Sequence, residues 1–454
     1  MTITPFRTLA ALAILALMSL GQPAHAQTLS LIRSNGPPDR RVNFVVLAEG
    51  YTGTQLASFR TDATNLINSL LNAPPFNLYR SCFNAYALSV ASNESGSDHS
   101  DQGTYRDTYF QTAYTGAGNP QLIDITATGL GRVNSLIASY YPSCDVPVVL
   151  VNDPLAGGSG GAVLICNKLG AESLVTHELG HTLAGLGDEY ETPWPGYTSV
   201  EEPNTTQQTN RSLIKWKDWI APTTPVPTPA GGEYDNYVGL FEGANYQATG
   251  WYRPKASCRM RYLEEDFCEV CKEALVLSIY RKARPINDYS PKTNPVVSLI
   301  PQTLTFSVAK IPAPAGTPVI QWSLDNLAVT GATQTSFQVT SGNLSNGLHT
   351  VRAVVRDATT LVRTDPTNLL RQTNTWQLQV NLPSLRVAAV RPTPTTGFGV
   401  LVTGNAAQGI VVEASTNLTA WQAVATNAFS SGTYQYQESV TTPLPRRYYR
   451  ARSR

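Results

Sequence analysis

The chain has 454 residues, with 33 lysines and arginines against 32 aspartates and glutamates, and charged residues make up only 14% of it. This length exceeds what one hydrophobic core usually serves, so we expect two or three domains. The balanced charge gives no electrostatic reason to expect nucleic acid or an anionic membrane surface as a partner.

The first 26 residues have the pattern of a secretory signal. Arg7 precedes an apolar run from Leu9 to Leu20, and Ala24-His25-Ala26 is a small-residue cleavage pattern. The run of about 12 residues is too short for the roughly 20 that a membrane-spanning helix needs. We therefore predict cleavage near Ala26, a secreted mature protein (extracellular or periplasmic) and no membrane span. A buried N-terminal helix is the alternative.

Strand-like and helical segments alternate over residues 27–288. Apolar runs at 42–48 and 146–151 predict buried strands, and the run 161–166 follows a glycine-rich turn. From Glu172 the apolar period becomes helical and continues to Gly185, which is a candidate C-cap. This order predicts an α/β or α+β domain.

After Pro285 the sequence contains short β-rich runs separated by turn residues. Their spacing predicts two small all-β domains of the β-sandwich type, over residues 289–382 and 383–454. Trp322 lies in the middle of one predicted strand, as the core tryptophan of an immunoglobulin-like domain would. Binding of protein or glycan is a hypothesis for these two β-domains.

The chain contains six cysteines: Cys82, Cys144, Cys166, Cys258, Cys268 and Cys271. An even number in an exported protein favours disulfide bonds. The last three are also compatible with part of a structural zinc site. Because no fourth Cys or His lies close to them in sequence, we favour disulfides.

The segment His177-Glu178-Leu179-Gly180-His181 lies within the predicted helix. Two histidines four residues apart share one helix face and can bind a single metal ion. Glu178 between them is placed to handle a proton of water rather than to bind the metal. This pattern predicts a catalytic Zn²⁺ site, against the alternative of two histidines merely packed in a helix.

A catalytic zinc ion needs a third protein ligand and an open position. The remaining histidines of the mature chain are His99, in a polar loop, and His349, in the β-rich region. We therefore expect an acidic ligand and favour Asp188, since the chain can turn at Gly187 after the helix. Glu189 is the second choice, and a solvated acidic turn is the alternative.

Met260 is the only methionine beyond the predicted signal and lies in Ser257-Cys258-Arg259-Met260-Arg261-Tyr262. Such a segment can form a floor under zinc-binding histidines, although a lone methionine also fills gaps in cores. Tyr262 is a candidate for stabilising a transition-state oxyanion, with ordinary packing as the alternative.

The stretch from His177 to Tyr190, His-Glu-Leu-Gly-His-Thr-Leu-Ala-Gly-Leu-Gly-Asp-Glu-Tyr, resembles the zinc motif of the IgA-metallopeptidase family. Further motifs accompany it in order, namely Leu47-Ala-Glu-Gly-Tyr-Thr52, Phe83-Asn-Ala-Tyr-Ala87, Leu240-Phe-Glu-Gly-Ala244, Tyr252-Arg-Pro254, Cys258-Arg-Met-Arg261 and Phe267-Cys-Glu-Val-Cys271. The resemblance covers about residues 28–285. It implies a metzincin-like domain with zinc on His177, His181 and Asp188, Glu178 as general base, and Met260 beneath the metal.

Together these observations predict a secreted zinc endopeptidase whose partner is a protein or peptide substrate. In metzincin-like sites the substrate adds as a strand to a sheet edge, and we expect that edge at Gly161–Ile165. A zinc amidase acting on cell-wall peptides is one alternative, and a non-catalytic adhesion or binding protein is the other. Nothing in the sequence indicates immunoglobulin as the substrate.

Overall fold

The computed structural model describes residues 27–115, 119–169, 172–312, 318–382, 385–390, 398–404, 409–429, 432–438 and 446–454. The predicted signal, residues 1–26, lies outside the described residues. Helices are few in this part of the chain: α1 (Leu56–Leu70), α2 (Ala127–Tyr140), α3 (Glu172–Ala184) and α4 (Glu269–Lys282).

Strands make up most of the regular structure. Those before the last helix are β1 (Thr28–Arg33), β2 (Val42–Glu49), β3 (Phe83–Ser89), β4 (Asp98–His99), β5 (Thr112–Tyr114), β6 (Ile123–Ile125), β7 (Val146–Val151), β8 (Gly158–Ser159), β9 (Leu164–Asn167), β10 (Phe241–Ala244) and β11 (Gln247–Arg253). Those after it are β12 (Ile286–Ser290), β13 (Val296–Ser298), β14 (Thr303–Lys310), β15 (Val319–Leu324), β16 (Leu327–Ala328), β17 (Ser336–Thr340), β18 (Gly347–Arg356), β19 (Arg371–Val380), β20 (Arg386–Val390), β21 (Gly399–Thr403), β22 (Gly409–Ser415), β23 (Gln422–Ala428), β24 (Thr433–Gln437) and β25 (Tyr448–Ser453). The chain is multidomain in character and β-rich, with an α+β region first.

A six-stranded sheet in the order β1-β3-β2-β7-β9-β8 organises the first region. Strands β3, β2, β7 and β9 run parallel, while β1 and β8 are antiparallel to their neighbours. The predicted strands at 42–48 and 146–151 are therefore confirmed. The expected substrate edge at Gly161–Ile165 is wrong, because Leu164 and Ile165 belong to β9, which lies between β7 and β8, and residues 161–163 belong to no strand.

Both faces of this sheet are buried, as the unbroken apolar run of β2 requires. Phe44 and Val46 point into a core shared with α1, α3 and α4, whereas Val45 and Leu47 point into a second core shared with α2. Successive strand residues face opposite sides, so one strand contributes to both cores. The sheet is thus a rigid support for the helices on each face.

Helix α3 ends as the sequence predicts. Gly185 has a φ of +62°, its N–H bonds to the carbonyl of His181 at 2.9 Å, and the N–H of Leu186 bonds to the carbonyl of Gly180 at 3.2 Å. A left-handed glycine whose N–H bonds to the carbonyl four residues earlier is the αL type of helix termination. It turns the chain sharply back toward the two histidines.

The region after α4 contains paired β-sheets. Sheets β12-β14-β17 and β13-β19-β18-β15-β16 enclose an apolar core in which Trp322 stacks on Trp376, with ring centroids 5.7 Å apart. Sheets β20-β21-β24 and β23-β22-β25 enclose a smaller core that includes Val402 and Val412. The domain boundaries at 288/289 and 382/383 and the immunoglobulin-like assignment stay predictions.

All six cysteines have free thiols, and Cys144 alone of them is only partly buried. The prediction of disulfide bonds therefore has no support from the structure. No helix among the described residues combines the length and apolar character needed to cross a membrane.

Candidate active site

His177 and His181 lie one turn apart on α3, and their Nε2 atoms approach to 3.1 Å. The Nδ1 atom of His177 is 2.9 Å from the carbonyl oxygen of Arg259, and that of His181 is 2.6 Å from the carbonyl oxygen of Leu186. A carbonyl only accepts, so each Nδ1 carries a proton, and in the neutral imidazole this leaves the lone pair on Nε2. This is how metal-binding imidazoles are usually oriented.

Asp188 completes a triangle of possible ligand atoms. Its Oδ1 lies 3.2 Å from Nε2 of His177 and 3.4 Å from Nε2 of His181. Ligand bonds of about 2.0–2.1 Å at tetrahedral angles separate ligand atoms by about 3.3 Å. The three residues therefore fit a zinc ion without rearrangement, and they would be its protein ligands.

The same three groups influence one another's protonation. Although burial opposes a carboxylate, the adjacent side chains of His177 and His181 hold the pKa of Asp188 well below its usual range. Burial disfavours the imidazolium of His181, but Asp188 outweighs it and raises the pKa of His181 to about 9. Because a metal ion needs the neutral imidazole, metal and protons compete for this cluster.

Asn204 holds the segment that carries Asp188. Its side-chain carbonyl accepts from the N–H of Gly187 at 2.7 Å, and its amide donates to the carbonyl of Gly187 and to Oε1 of Glu189, both at 2.9 Å. Asn204 is fully buried. Since it binds the residues on both sides of Asp188, it fixes the direction of that carboxylate.

The hairpin β10–β11 places a tyrosine against Asp188. Asn245 and Tyr246 form its two-residue turn with φ values of 57° and 58°, as in a type I′ turn. Their N–H groups bond to the carbonyls of Asp188 and Tyr190 at 2.9 and 2.8 Å. The hydroxyl of Tyr246 then donates to Oδ2 of Asp188 at 2.6 Å. Burial and the nearby Asp188 charge raise the pKa of Tyr246, which keeps this donor protonated.

Glu178 lies beside the triangle and against the glycine-rich edge of the sheet. A Cβ on Gly160 would lie 2.5 Å from the carbonyl oxygen of Glu178 and 3.0 Å from its Oε2. Burial raises the pKa of the Glu178 carboxyl, and the two histidines offset part of this increase. Residues Gly158–Gly161 and helix α3 together border an open cleft of about 540 Å³.

The sequence model of the family described as IgA peptidase M64 matches residues 31–236 and 230–279, which is more than half of the chain. The chain belongs to the IgA peptidase M64 family. It is therefore a peptidase, and hence a hydrolase that acts on protein or peptide substrates. The metal-ion chemistry implied by this M64 membership agrees with two groups of possible ligands in the structure. One consists of His177, Glu178 and His181, and the other of Glu189 and three cysteines.

No curated protein matches the chain. Among solved structures, fibronectin(III)-like modules of Clostridium thermocellum CbhA share 8% identity at a TM-score of 0.16, covering 34% of this chain and 78% of theirs. A Parabacteroides merdae β-glucuronidase shares 9% identity at a TM-score of 0.14, covering 46% of this chain and 28% of its own. At these TM-scores neither likeness bears on the M64 site.

Met260 lies under the histidine helix of this M64 member. It is fully buried, and its Sδ would be 3.1 Å from a Cβ placed on Gly180, the residue before His181. Tyr262 is not among the residues that line the cleft; it is 48% exposed, and the Arg261 guanidinium covers its ring at 4.7 Å. Its candidate oxyanion role stays a prediction.

Sequence reasoning missed the aromatic and polar groups that surround Asp188. Tyr190, Trp194, Tyr197 and Tyr246 form one wall of the cleft, and Asn204 lies behind it. The family motif Leu240-Phe-Glu-Gly-Ala244 could have drawn attention to Tyr246, which follows it by two residues. Nothing local marks Asn204, whose partners are distant in sequence.

Glu189, the second choice for a metal ligand, points away from the histidines. Its carboxylate is fully buried and its Oε1 lies 3.7 Å from Sγ of Cys271. Burial raises the pKa of Glu189 well above its usual range. The carboxylates of the adjacent residues Asp188 and Glu189 thus lie in different surroundings, one beside the two histidines and the other beside Cys271.

Proposed function

We propose that the protein is an exported zinc-dependent endopeptidase with His177, His181 and Asp188 as zinc ligands and Glu178 as general base. The observation that carries this proposal is the convergence of two Nε2 atoms and one carboxylate oxygen, 3.1–3.4 Å apart, at the floor of an open cleft. Three protein ligands facing a cleft leave a position for water and substrate, as catalytic zinc sites require.

When bound, zinc supplies a Lewis acid that polarises a carbonyl group and lowers the pKa of water. Glu178 accepts the proton of the attacking water and passes it to the leaving nitrogen. Its raised pKa suits a group that must both take and release a proton near neutral pH. Its position next to His177 and His181 brings it to the same side of the cleft as the ligand atoms.

The cleft favours an extended peptide as substrate. Strand β8 forms the edge of the six-stranded sheet, and residues Gly158–Gly161 line the cleft beside Glu178. The N–H of Gly158 already donates to the carbonyl of Gln121, so an extended chain would add to this edge beyond Gly158. It would be held there mainly by backbone hydrogen bonds, which depend little on side chains. The aromatic wall opposite would then contact the substrate's side chains.

A metzincin-like architecture is part of the same proposal. The support is the buried Met260 beneath Gly180 and the tight turn from α3 to Asp188. Export rests on the signal pattern before Gln27. The two β-rich regions are proposed as accessory domains.

The test compares the mature protein, starting at Gln27, with its Glu178→Ala variant on unfolded casein and a mixed peptide library. We expect the variant to keep its zinc but to lose activity by about 10²–10⁴-fold, the usual contribution of a general base. Cleavage by both proteins at equal rates would refute the role of Glu178. Cleavage of cell-wall peptides alone would replace the endopeptidase proposal with the amidase alternative.

A further inference from the structure

A second group of metal-binding side chains lies behind Asp188, away from the cleft. Cys258, Cys268, Cys271 and Glu189 each offer one ligand atom, and these four atoms lie within 4.8 Å of one another. Cys268 is 3% exposed and the other three are fully buried. The group is therefore sealed from solvent.

The distances fit a shared metal ion better than a disulfide. Sγ of Cys258 is 3.6 Å from Sγ of Cys271, and the latter is 3.7 Å from Oε1 of Glu189. A disulfide needs about 2.05 Å between sulfurs. Two thiolates on one tetrahedral zinc ion, with bonds of about 2.3 Å, are about 3.8 Å apart.

The carboxylate of Glu189 lacks the partners that a buried charge needs. Its Oε1 accepts from Asn204, while Oε2 has no hydrogen-bond partner among the described residues. The nearby Arg253 guanidinium donates instead to the carbonyls of Glu242 and Gly243. An unpaired buried carboxylate is strongly destabilising, and a cation among its neighbours removes that cost.

Local backbone structure also favours thiolates here. Cys268 is the N-cap residue of α4 and Cys271 lies in its first turn. The N–H of Cys268 donates to Sγ of Cys258 at 3.2 Å. A helix N-terminus and N–H donors stabilise negative charge on sulfur, the form in which cysteine binds metal.

From this geometry we infer a second, structural zinc site in which Cys258, Cys268, Cys271 and Glu189 are the four ligands. Four protein ligands and complete burial leave no position for substrate, as in structural rather than catalytic zinc sites. Thiolate-rich coordination selects zinc over magnesium or calcium.

The site joins the segments that shape the cleft. The N–H of Glu189 donates to the carbonyl of Met260 at 2.9 Å, and the carbonyl of Arg259 accepts from His177. A metal bound to Glu189 and Cys258 would fasten the Asp188 segment to the loop beneath the histidines. Its loss would therefore loosen both Asp188 and Met260.

The experiment measures zinc per chain by elemental mass spectrometry, together with intact mass, for the mature protein and three variants. We expect two zinc ions in the wild type and one in the His177→Ala/His181→Ala variant. We expect one in Cys268→Ser and two in the control Cys144→Ser, whose cysteine lies outside the cluster. Replacing the remaining metal of the double-histidine variant with Co²⁺ should give thiolate-to-cobalt charge-transfer absorption.

The double-histidine variant keeps the test decisive if Cys268→Ser does not fold. A metal-free double-histidine variant, or an intact mass lacking two hydrogens because Cys258 and Cys271 form a disulfide, would overturn the inference. An active wild type with a single zinc ion would refute the second site alone. A wild type with two zinc ions and no peptidase activity would refute the proposed function and leave the second site standing.

Discussion

Two clusters of ligand atoms share one short segment of chain and differ in what surrounds them. The first cluster consists of His177, His181 and Asp188 and opens onto the cleft. The side chains of His181 and Asp188 are 17% and 13% exposed to solvent. The second, the three cysteines with Glu189, is sealed. Neighbouring residues point in opposite directions, so one segment serves an accessible site and a closed one.

Solvent exposure and the number of protein ligands, more than the type of ligand residue, therefore distinguish a catalytic metal site from a structural one. Three ligands that face a cleft leave room for reaction, whereas four that face a core leave none. In the open cluster the histidines donate to backbone carbonyls and Tyr246 donates to Asp188, while Asn204 holds the neighbouring Gly187. The closed cluster would be held by its metal ion.

Brief treatment with a chelator should separate the two clusters most clearly. We expect the open site to lose zinc first and activity to fall to background, while the fold and the second zinc ion remain until the protein is unfolded. Zinc content, peptidase activity and circular dichroism followed in the same samples check this order. Simultaneous release of both ions would contradict the distinction, and added Zn²⁺ should restore activity.

Asn204→Ala should affect both clusters because this side chain binds Gly187 and Glu189. Two buried backbone groups of Gly187 lose their partner at about 1–3 kcal/mol each, so we expect a loss of at least about 2 kcal/mol and a melting temperature lower by at least roughly 4–8 °C. Misplacing Asp188 should also reduce activity about 10–100-fold. Calorimetry and kinetics measure the two effects, and the exposed Asn236→Ala is the control. Unchanged activity would mean that Asn204 does not position Asp188.

Tyr246→Phe should affect the open cluster alone. The variant loses only the hydroxyl that donates to Asp188, and loss of such an outer hydrogen bond weakens zinc binding by about 10–100-fold. Competition with a chelator of known affinity gives the zinc affinity, with Tyr237→Phe, an exposed tyrosine, as control. Weakened binding at the cysteine cluster as well would show that the clusters are coupled.

A histidine–carboxylate pair outside both clusters supplies a reference without metal. Nδ1 of His349 lies 2.8 Å from Asp325, and this hydrogen bond raises the pKa of His349. A histidine whose pKa is higher in the folded than in the unfolded state stabilises the folded protein. This stabilisation is fully present at pH values below the unfolded-state pKa of about 6.5, and it is lost as the pH rises through the folded-state pKa.

Asp325→Asn should therefore lower stability at pH 6 and have less effect at pH 8. Asp325 is half exposed, so we expect less than about 1 kcal/mol. Asn keeps an acceptor for the N–H of Thr350, which isolates the charge. Thermal melts at both pH values measure the difference, and Asp288→Asn, next to a lysine rather than a histidine, should show none between them. An equal loss at both pH values would argue against the ion pair.

The sequence by itself determined the elements that depend on local pattern. The apolar runs of β2 and β7, the helical period of α3 and the glycine termination at Gly185 all follow from nearest neighbours, and the structure contains each of them. The spacing of His177 and His181 likewise places both imidazoles on one face, because four residues make about one helical turn.

Tertiary structure alone decided what lies around these residues. The edge position of β8, the contact of Tyr246 with Asp188 and the meeting of Glu189 with three cysteines each join segments that are distant along the chain. For Asp188 and Glu189, carboxylates one residue apart, the sequence offered only a preference for Asp188, from the turn at Gly187 and the family resemblance. The packed chain separates them physically, because it buries Glu189 among sulfurs and turns Asp188 to the histidines.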